Sequence, residues 1–234
     1  MIKFENVTKD YGNGKGIFNI SVSFESGIIG VLGENGAGKT TMFKLILGLL
    51  KPDQGIISIN GKNLWELNNI VETKKIIGYL PPDDYLFPYL TGRENLELIS
   101  YLKNGKTSTW LDIMPYIELL DMQEVINTPL HTYSSGMKKK LHLIASLIGK
   151  PPILIWDEPY NQLDISAILK MKTLITNYAE ENKATVLFAS HIVEIIDELC
   201  SKVLIIHKGK ILFYNNIIEK TKLIKLYIDI INKN

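Results

Sequence analysis

A single glycine-rich loop constrains this chain more than any other feature. Gly33 to Thr40 reads Gly-Glu-Asn-Gly-Ala-Gly-Lys-Thr, between the apolar run Ile28 to Leu32 and a segment of helical character, Thr41 to Leu50, that Lys51-Pro52 closes. The pattern GxxxxGK[ST] between a strand and a helix is that of a phosphate-binding loop. Glycines at 33, 36 and 38 let the backbone curl until successive N–H groups point inward, an anion nest capped by a helix N-terminus carrying about half a positive charge. Polyphosphate suits such a nest, with Lys39 reaching the terminal phosphates and the Thr40 hydroxyl free to ligate Mg²⁺. The loop residues expected to meet the phosphates are Gly33, Asn35, Gly36, Ala37, Gly38, Lys39, Thr40 and Thr41. By ordinary residue frequencies a chain of 234 residues produces the pattern by chance on the order of once in a hundred.

A second segment completes the chemistry. Ile153 to Trp156 is a continuous aliphatic and aromatic run ending in Asp157-Glu158. That is a strand buried on both faces that delivers two acids to the carboxyl edge of a sheet, where open α/β sheets bind ligands. Alone, paired acids at a strand end are a solvated turn. Beside a phosphate loop they read as a Mg²⁺ ligand, Asp157, and a base for the attacking water, Glu158.

The rest of the chain fits an α/β protein with an all-helical insertion. Ile20, Val22 and Phe24 alternate, Ile56 to Ile59 runs into the hairpin pair Asn60-Gly61, and Ile76 to Leu80 is stopped by Pro81-Pro82. From Tyr85 to Lys150 apolar residues recur at helical spacing, in Leu96 to Leu102, Leu111 to Leu120 and Leu141 to Ile148. Strands return at Thr185 to Ala189 and Val203 to Ile206, with Ile165 to Tyr178 as a crossover helix of a parallel sheet and Ile211 to Phe213 as an antiparallel edge. The expected division is a core of 1–84 and 151–214, carrying an N-terminal antiparallel β subdomain, a helical subdomain of 85–150 and a helical tail of 215–234.

Composition narrows the partners. With 26 basic against 25 acidic side chains, a formal charge of +1 supplies no electrostatic footprint for nucleic acid, and none is expected as a partner. Cys200 is the one cysteine, which excludes an intrachain disulfide and fits a reducing compartment. No charged-then-apolar segment opens the chain, and no apolar run approaches the roughly 20 residues that span a bilayer.

Further segments, in order, resemble the nucleotide-binding subunit of an ATP-binding cassette (ABC) transporter. Tyr133-Ser134-Ser135-Gly136-Met137 resembles the LSGGQ signature in its YSxGM form, Asp157 to Asp164 the second Walker motif running into the D-loop, and Ala189-Ser190-His191 the strand end that bears the switch histidine. Tyr11 matches the aromatic that stacks on adenine. The resemblance covers residues 1 to about 214 and implies a P-loop NTPase fold with a mixed, largely parallel sheet. It implies ATP and Mg²⁺, with Thr40 and Asp157 on the metal, and Lys39, Glu158 and His191 in catalysis. It also implies a head-to-tail pair of ATPase subunits in which Ser134, Ser135, Gly136 and Asp164 serve the partner's nucleotide. Integral membrane permease subunits would complete the assembly, with this chain cytoplasmic and peripheral on the cell membrane and transport in the export direction. A non-transport ABC ATPase or a slow regulatory ATP switch are the alternatives.

The chain also departs from that pattern. Where the family places glutamine or glutamate after the strand ending at Leu80, this chain has Pro82, which cannot ligate Mg²⁺ or hydrogen-bond water through its side chain; Asp83 or Asp84 by a one-residue shift is the candidate substitute. Tyr160 and Gln162 replace smaller residues. Lys138 to Lys140 are either a solvated face or a field directed at the nucleotide, and Tyr85, Leu86, Phe87 and Tyr89 either pack a domain junction or line a docking groove for a membrane subunit. His131, His142 and His207 are left as structural. The tail, with apolar residues at 217, 224, 228 and 231, reads as a helix packed on the core rather than on a membrane surface, because Glu219 and Asp229 interrupt its basic face.

Overall fold

The computed structural model describes residues 1–66, 69–105, 110–217 and 223–232. Two sheets share the chain. Strands β1 (Ile2–Gly12), β2 (Lys15–Phe24), β4 (Gln54–Ile59) and β5 (Lys62–Asn63) form an antiparallel sheet in the order β2-β1-β4-β5. Strands β3 (Gly27–Leu32), β6 (Ile77–Leu80), β7 (Ile153–Asp157), β8 (Thr185–Ser190), β9 (Lys202–His207) and β10 (Lys210–Asn216) form the other in the order β10-β9-β3-β8-β7-β6, parallel throughout except where β10 pairs with β9. The resulting α/β fold, with its mixed sheet, is that of a P-loop NTPase.

Continuous apolar strands are required because both faces of this sheet are covered. Successive residues take opposite sides: Leu154, Trp156, Val186, Phe188, Val203 and Ile205 join one core, and Ile153, Ile155, Leu187, Ala189, Leu204 and Ile206 join the other. The second core is shared with the antiparallel sheet and with α1 (Lys39–Ile46), whose Met42, Phe43, Leu45 and Ile46 fill the space between the sheets. The first core is covered by helices α3 (Gly92–Asn104), α4 (Trp110–Leu119) and α5 (Ser135–Leu147), all inserted between β6 and β7, and by α6 (Ile165–Glu181) and α7 (Val193–Leu199). At Gly78 a Cβ would stand 1.9 Å from the Ser146 carbonyl oxygen, so glycine is what lets α5 close on β6. Helix starts are capped as their sequences dictate. Thr91 and Glu94 form a reciprocal capping box on α3, and Ser134 and Asp164 accept from Met137 N–H and Ala167 N–H on α5 and α6.

Several elements differ from the sequence expectation. The helix placed at Thr41 to Leu50 runs instead over Lys39–Ile46, because the phosphate loop itself forms its first turn and Gly48, at φ +64°, reverses the chain. A short helix, α2 (Asn69–Lys75), precedes β6; only Thr73 of it is buried, too little apolar periodicity to be read. Of the tail expected as a helix, Asn215 and Asn216 still belong to β10 and Leu223–Ile231 forms α8; of the four apolar positions expected to pack, Ile217 and Ile231 do. Leu223, Leu226, Tyr227, Ile230 and Ile231 pack on the core, while Ile224 and Ile228 are exposed. Glu219 and the neighbouring residues 218–222 lie outside the described residues. Among the described residues no helix is long and apolar enough to cross a membrane.

Candidate functional site

The site forms where the sheet's carboxyl ends meet α1. Strand β8 lies between β3 and β7, so the phosphate loop leaving β3 and the acids ending β7 flank the β8 end that carries Ser190 and His191. Asp157 pairs in register with Ala189, and Glu158 N–H donates to the Ala189 carbonyl at 3.1 Å.

The phosphate loop is built to leave donors open. Helix α1 is preceded by Gly38 at φ +112° with no side-chain cap, which leaves its first N–H groups without a protein acceptor from a cap. A Cβ at Gly38 would lie 2.8 Å from the Ile17 Cγ2, so the close approach of β2 also demands glycine. The loop is propped from beneath by the β9–β10 turn: Gly209 N–H donates to the Ala37 carbonyl at 2.9 Å, and Phe18 N–H donates to the Gly209 carbonyl at 2.8 Å. Lys39, only 6% exposed, folds back to donate to the carbonyls of Gly33 at 2.6 Å and Glu34 at 3.2 Å.

Its charge partners come from β7. Thr40 Oγ1 donates to Asp157 Oδ2 at 2.8 Å. Glu158 Oε1 is 4.0 Å from Lys39 Nζ and, though buried, has no hydrogen-bond partner; Glu158 Oε2 lies 3.0 Å from His191 Nδ1. A carboxylate oxygen can only accept, so that contact requires a proton on Nδ1. Glu158 itself sits at φ +50°, a left-handed conformation that a non-glycine residue adopts against a bias of about 1 kcal/mol. Burial lowers the Lys39 ammonium from the ordinary lysine range, against the raising pull of Glu158 and Asp157. Burial raises the Asp157 carboxyl, against the Thr40 hydrogen bond and Lys39. In both cases it is the charged form that burial disfavours.

Lys39, Thr40, Asp157 and Glu158 line an open cleft of roughly 520 Å³ together with Tyr11, Asn35, Gly36, Gly38, Thr41 and Pro82, whereas His191 is not part of its lining and meets it through Glu158. Gly33 and Ala37 lie beneath it, Gly33 as an acceptor for Lys39 and Ala37 as the seat of the Gly209 contact. Lys15, Gly16 and Glu34 also line it, and sequence reading missed them. Lys15 and Gly16 carry no motif and arrive through the hairpin after Tyr11. Asp83 and Asp84, the candidate substitutes for a side chain at 82, line a separate groove beside α5, and Asp84 is bound there to His142. Neither reaches the nucleotide cleft, so in this conformation Pro82 stands there alone.

The signature is elsewhere. Ser134, Ser135 and Gly136 start α5 outside the cleft, and a Cβ at Gly136 would come within 3.0 Å of the Gln162 carbonyl, so the signature abuts the D-loop of its own chain. Asp164, expected to serve a nucleotide, spends one carboxylate oxygen on the Ala167 N–H at 2.8 Å and lies outside the cleft. Tyr160 is buried edge-on against Phe188, centroids 5.1 Å apart. Of the three consecutive lysines on α5, Lys139 is buried and donates to the Pro81 carbonyl at 3.3 Å, so it is no part of a solvated face, while its charge and those of Asp157 and Glu158 in the cleft act on one another.

No group of three or more His, Cys, Asp or Glu side chains among the described residues is arranged to hold a metal ion by itself. The hydroxyl of Thr40 and the carboxylate of Asp157 are nonetheless hard oxygen donors 2.8 Å apart, and the buried carboxylate suits a divalent cation whose remaining ligands are phosphate oxygens and water.

Comparison with known proteins identifies the family and the fold. A family model described as ABC transporter matches residues 17–161. The bacitracin transport ATP-binding protein BcrA of Bacillus licheniformis is 36% identical over 213 residues, covering 91% of this chain and 68% of that protein. The ABC transporter ATP-binding protein NatA of Bacillus subtilis is 34% identical over 202 residues, covering 85% and 81%. An ATP-binding subunit of an ABC transporter superposes with TM-score 0.88 over 99% of both chains at 22% identity, and a dimeric ATP-binding cassette in a post-hydrolysis state with ADP and Pi superposes with TM-score 0.83 over 94% of this chain and 100% of that one at 24% identity. At those identities the structural matches speak for the fold, and the family match and the curated relatives speak for the family. The chain belongs to the ABC transporter family, as an ATP-binding and ATP-hydrolysing subunit.

Proposed function

We propose that this subunit works as one half of a pair that closes on ATP and drives export through separate membrane subunits, from the cytoplasmic face of the membrane. The carrying observation is the buried Glu158 Oε1, which faces Lys39 at 4.0 Å without a hydrogen-bond donor. That is the place a water attacking the γ-phosphate would supply one.

In this reading the open N–H groups at the start of α1 and the Lys39 ammonium hold the phosphates, and Tyr11 at the rim stacks on adenine. Thr40 and Asp157 would hold Mg²⁺, which when bound neutralises charge on the phosphate oxygens. Glu158 accepts the proton of the attacking water, and His191 holds its other oxygen so that Oε1 stays aimed. Ser134, Ser135 and Gly136 head a capped helix that cannot serve its own cleft, which supports a second subunit, identical or related, whose nucleotide they meet. An ATP-driven change of state then follows from contacts made only when the pair is closed. Membrane subunits as partners are supported by the transport names of the relatives, and export by the YSxGM form of the signature.

Glu158→Gln tests the assignment. Phosphate release should fall by about a hundredfold or more while ATP is still bound, and size-exclusion chromatography with ATP should move the variant to twice the monomer mass. Unchanged turnover removes Glu158 from this role, and a monomer at all ATP concentrations removes the pairing. Co-purification of an integral membrane protein from detergent extract separates a transporter subunit from a free-standing ATPase.

A further inference from the structure

The loop that follows β6 is fastened to α5 at three of its residues. Asp84 Oδ1 lies 3.0 Å from His142 Nε2, and Asp84 Oδ2 lies 3.6 Å from Lys138 Nζ. Lys139 Nζ donates to the Pro81 carbonyl at 3.3 Å. The Tyr85 ring lies over the His142 imidazole with centroids 4.6 Å apart. Between these anchors Pro82 lines the nucleotide cleft. One short loop therefore touches the cleft at its middle and, on both sides, the helix that begins with the signature.

The anchoring is costly where a simpler packing would serve. His142 is 3% exposed and its Nδ1 has no hydrogen-bond partner, so an apolar residue of similar volume would spare the fold a buried polar atom. Burial lowers the imidazole from its ordinary range despite Asp84, which keeps the ring neutral, with Nε2–H donating to the carboxylate. Asp84 is 58% exposed on its side chain and has no packing reason to hold one rotamer. Pro82 has no side-chain donor or acceptor. Displacement of the loop at the cleft is carried to α5 by these anchors, beside the apolar packing of Leu80 and Leu86 in the core that α5 shares.

We propose that Asp84 and His142 are positioning residues for ATP hydrolysis, on the reading of the cleft as the nucleotide site given above: their hydrogen bond makes the loop of residues 81–85 and the signature helix move as one piece. The bond then matters for turnover, where the signature must be brought to its working place, and not for holding ATP, since neither residue lines the cleft.

The test uses the purified full chain and four variants: Asp84→Ala, His142→Leu, the double variant, and His142→Gln, whose amide N–H reaches toward the position of Nε2. Steady-state ATPase is measured with the melting temperature and the stoichiometry of a fluorescent ATP analogue. Asp84→Ala removes the bond from the exposed side and leaves the core intact, so it reports even if His142→Leu folds poorly. The expected result is a roughly tenfold fall in kcat for each single variant, KM within about twofold, no further loss in the double variant, and recovery in His142→Gln to about half the wild-type kcat. The proposal is overturned if Asp84→Ala keeps the wild-type kcat, if the single losses multiply in the double variant, or if His142→Gln is no better than His142→Leu. If the wild type fails to bind the analogue, the reading of the cleft fails first and takes the proposal with it. If binding is intact and only the kcat pattern fails, the proposal alone is lost.

Discussion

Lys103 near the end of α3 carries a charge where the fold does not welcome one. Its Nζ donates to the Ile148 carbonyl at 2.9 Å, in the groove it lines with Tyr79, Tyr85 and Ile99. Burial pushes its pKa down to about 8, against an ordinary lysine value near 10.4. At about 1.4 kcal/mol per pH unit that is a bias of roughly 3 kcal/mol against the protonated form. The sign follows from proton counting. Between about pH 8 and 10.4 the unfolded chain holds a proton at this site that the folded chain does not, so the contribution of Lys103 to stability rises with pH and is least favourable below 8. Lys103→Met removes the charge, keeps most of the aliphatic stem and gives up a hydrogen bond worth about 1.5–3 kcal/mol to a charged donor, so the two proteins should be of similar stability at pH 7. At pH 10 the wild type has shed most of the burden and the neutral amine still donates to Ile148. The stability of Lys103→Met relative to wild type should therefore fall by about 2 kcal/mol from pH 7 to pH 10. Urea titrations followed by tryptophan fluorescence, which reports on the fully buried Trp156, measure the difference at each pH, and ionisations common to both proteins cancel. A difference that stays constant within about 0.5 kcal/mol, or that grows with pH, refutes the reasoning.

Other outcomes follow from single side chains. Asn95 is 1% exposed, and its amide holds the turn before α3 by accepting from Phe87 N–H at 2.8 Å and donating to the carbonyls of Phe87 and Thr91, both at 3.0 Å. Asn95→Ala should lower unfolding stability by about 2–4 kcal/mol, read from the midpoint of chemical denaturation. The Tyr160 hydroxyl is buried without a partner, so Tyr160→Phe should be as stable as wild type or more stable by up to about 1 kcal/mol, with turnover unchanged; a marked loss of either would mean the hydroxyl has a use that its packing does not reveal.

What could be read from the sequence was what is local. The phosphate loop is legible because its glycines, lysine and threonine are contiguous and its flanks announce strand and helix. Ile153 to Trp156 is legible because a strand buried on both faces admits no polar residue. The division of that strand between two cores was not legible, since alternation is invisible in a run that is apolar throughout. The face of α8 was only half legible, Ile231 packing and Ile224 and Ile228 not, because i, i+4 spacing fits more than one stripe when apolar residues are dense. Contacts that join distant segments escaped as well, such as the Gly209 prop under Ala37 and the turn of Asp84 away from the cleft. One of them had a signal. Three consecutive residues on a helix span about 200°, so Lys138 to Lys140 could not share one solvated face, and the burial of Lys139 was implied once α5 was placed as a helix packed in the first core.

The cleft also stores an electrostatic burden that its ligands should relieve together. Lys39 and Asp157 are both nearly buried, at 6% and 2% exposure, and burial works against the charge of each. Polyphosphate without a divalent cation would bring negative charge to Lys39 and to the open N–H groups of α1, but would also crowd Asp157 and Glu158. A divalent cation without nucleotide would meet Asp157 and Thr40 but few other fixed oxygens. Each alone offsets one part of the burden while aggravating or ignoring the other. A ligand that binds only the folded chain stabilises it by RT ln(1 + [L]/Kd), about 2.7 kcal/mol at a hundredfold excess over Kd. The rise in melting temperature with Mg²⁺ and ATP together should therefore exceed the sum of the rises with either alone, measured with Glu158→Gln to prevent turnover. Equal, additive shifts would mean that Thr40 and Asp157 do not share a cation with the phosphates, and that their hydrogen bond only braces β7 against α1.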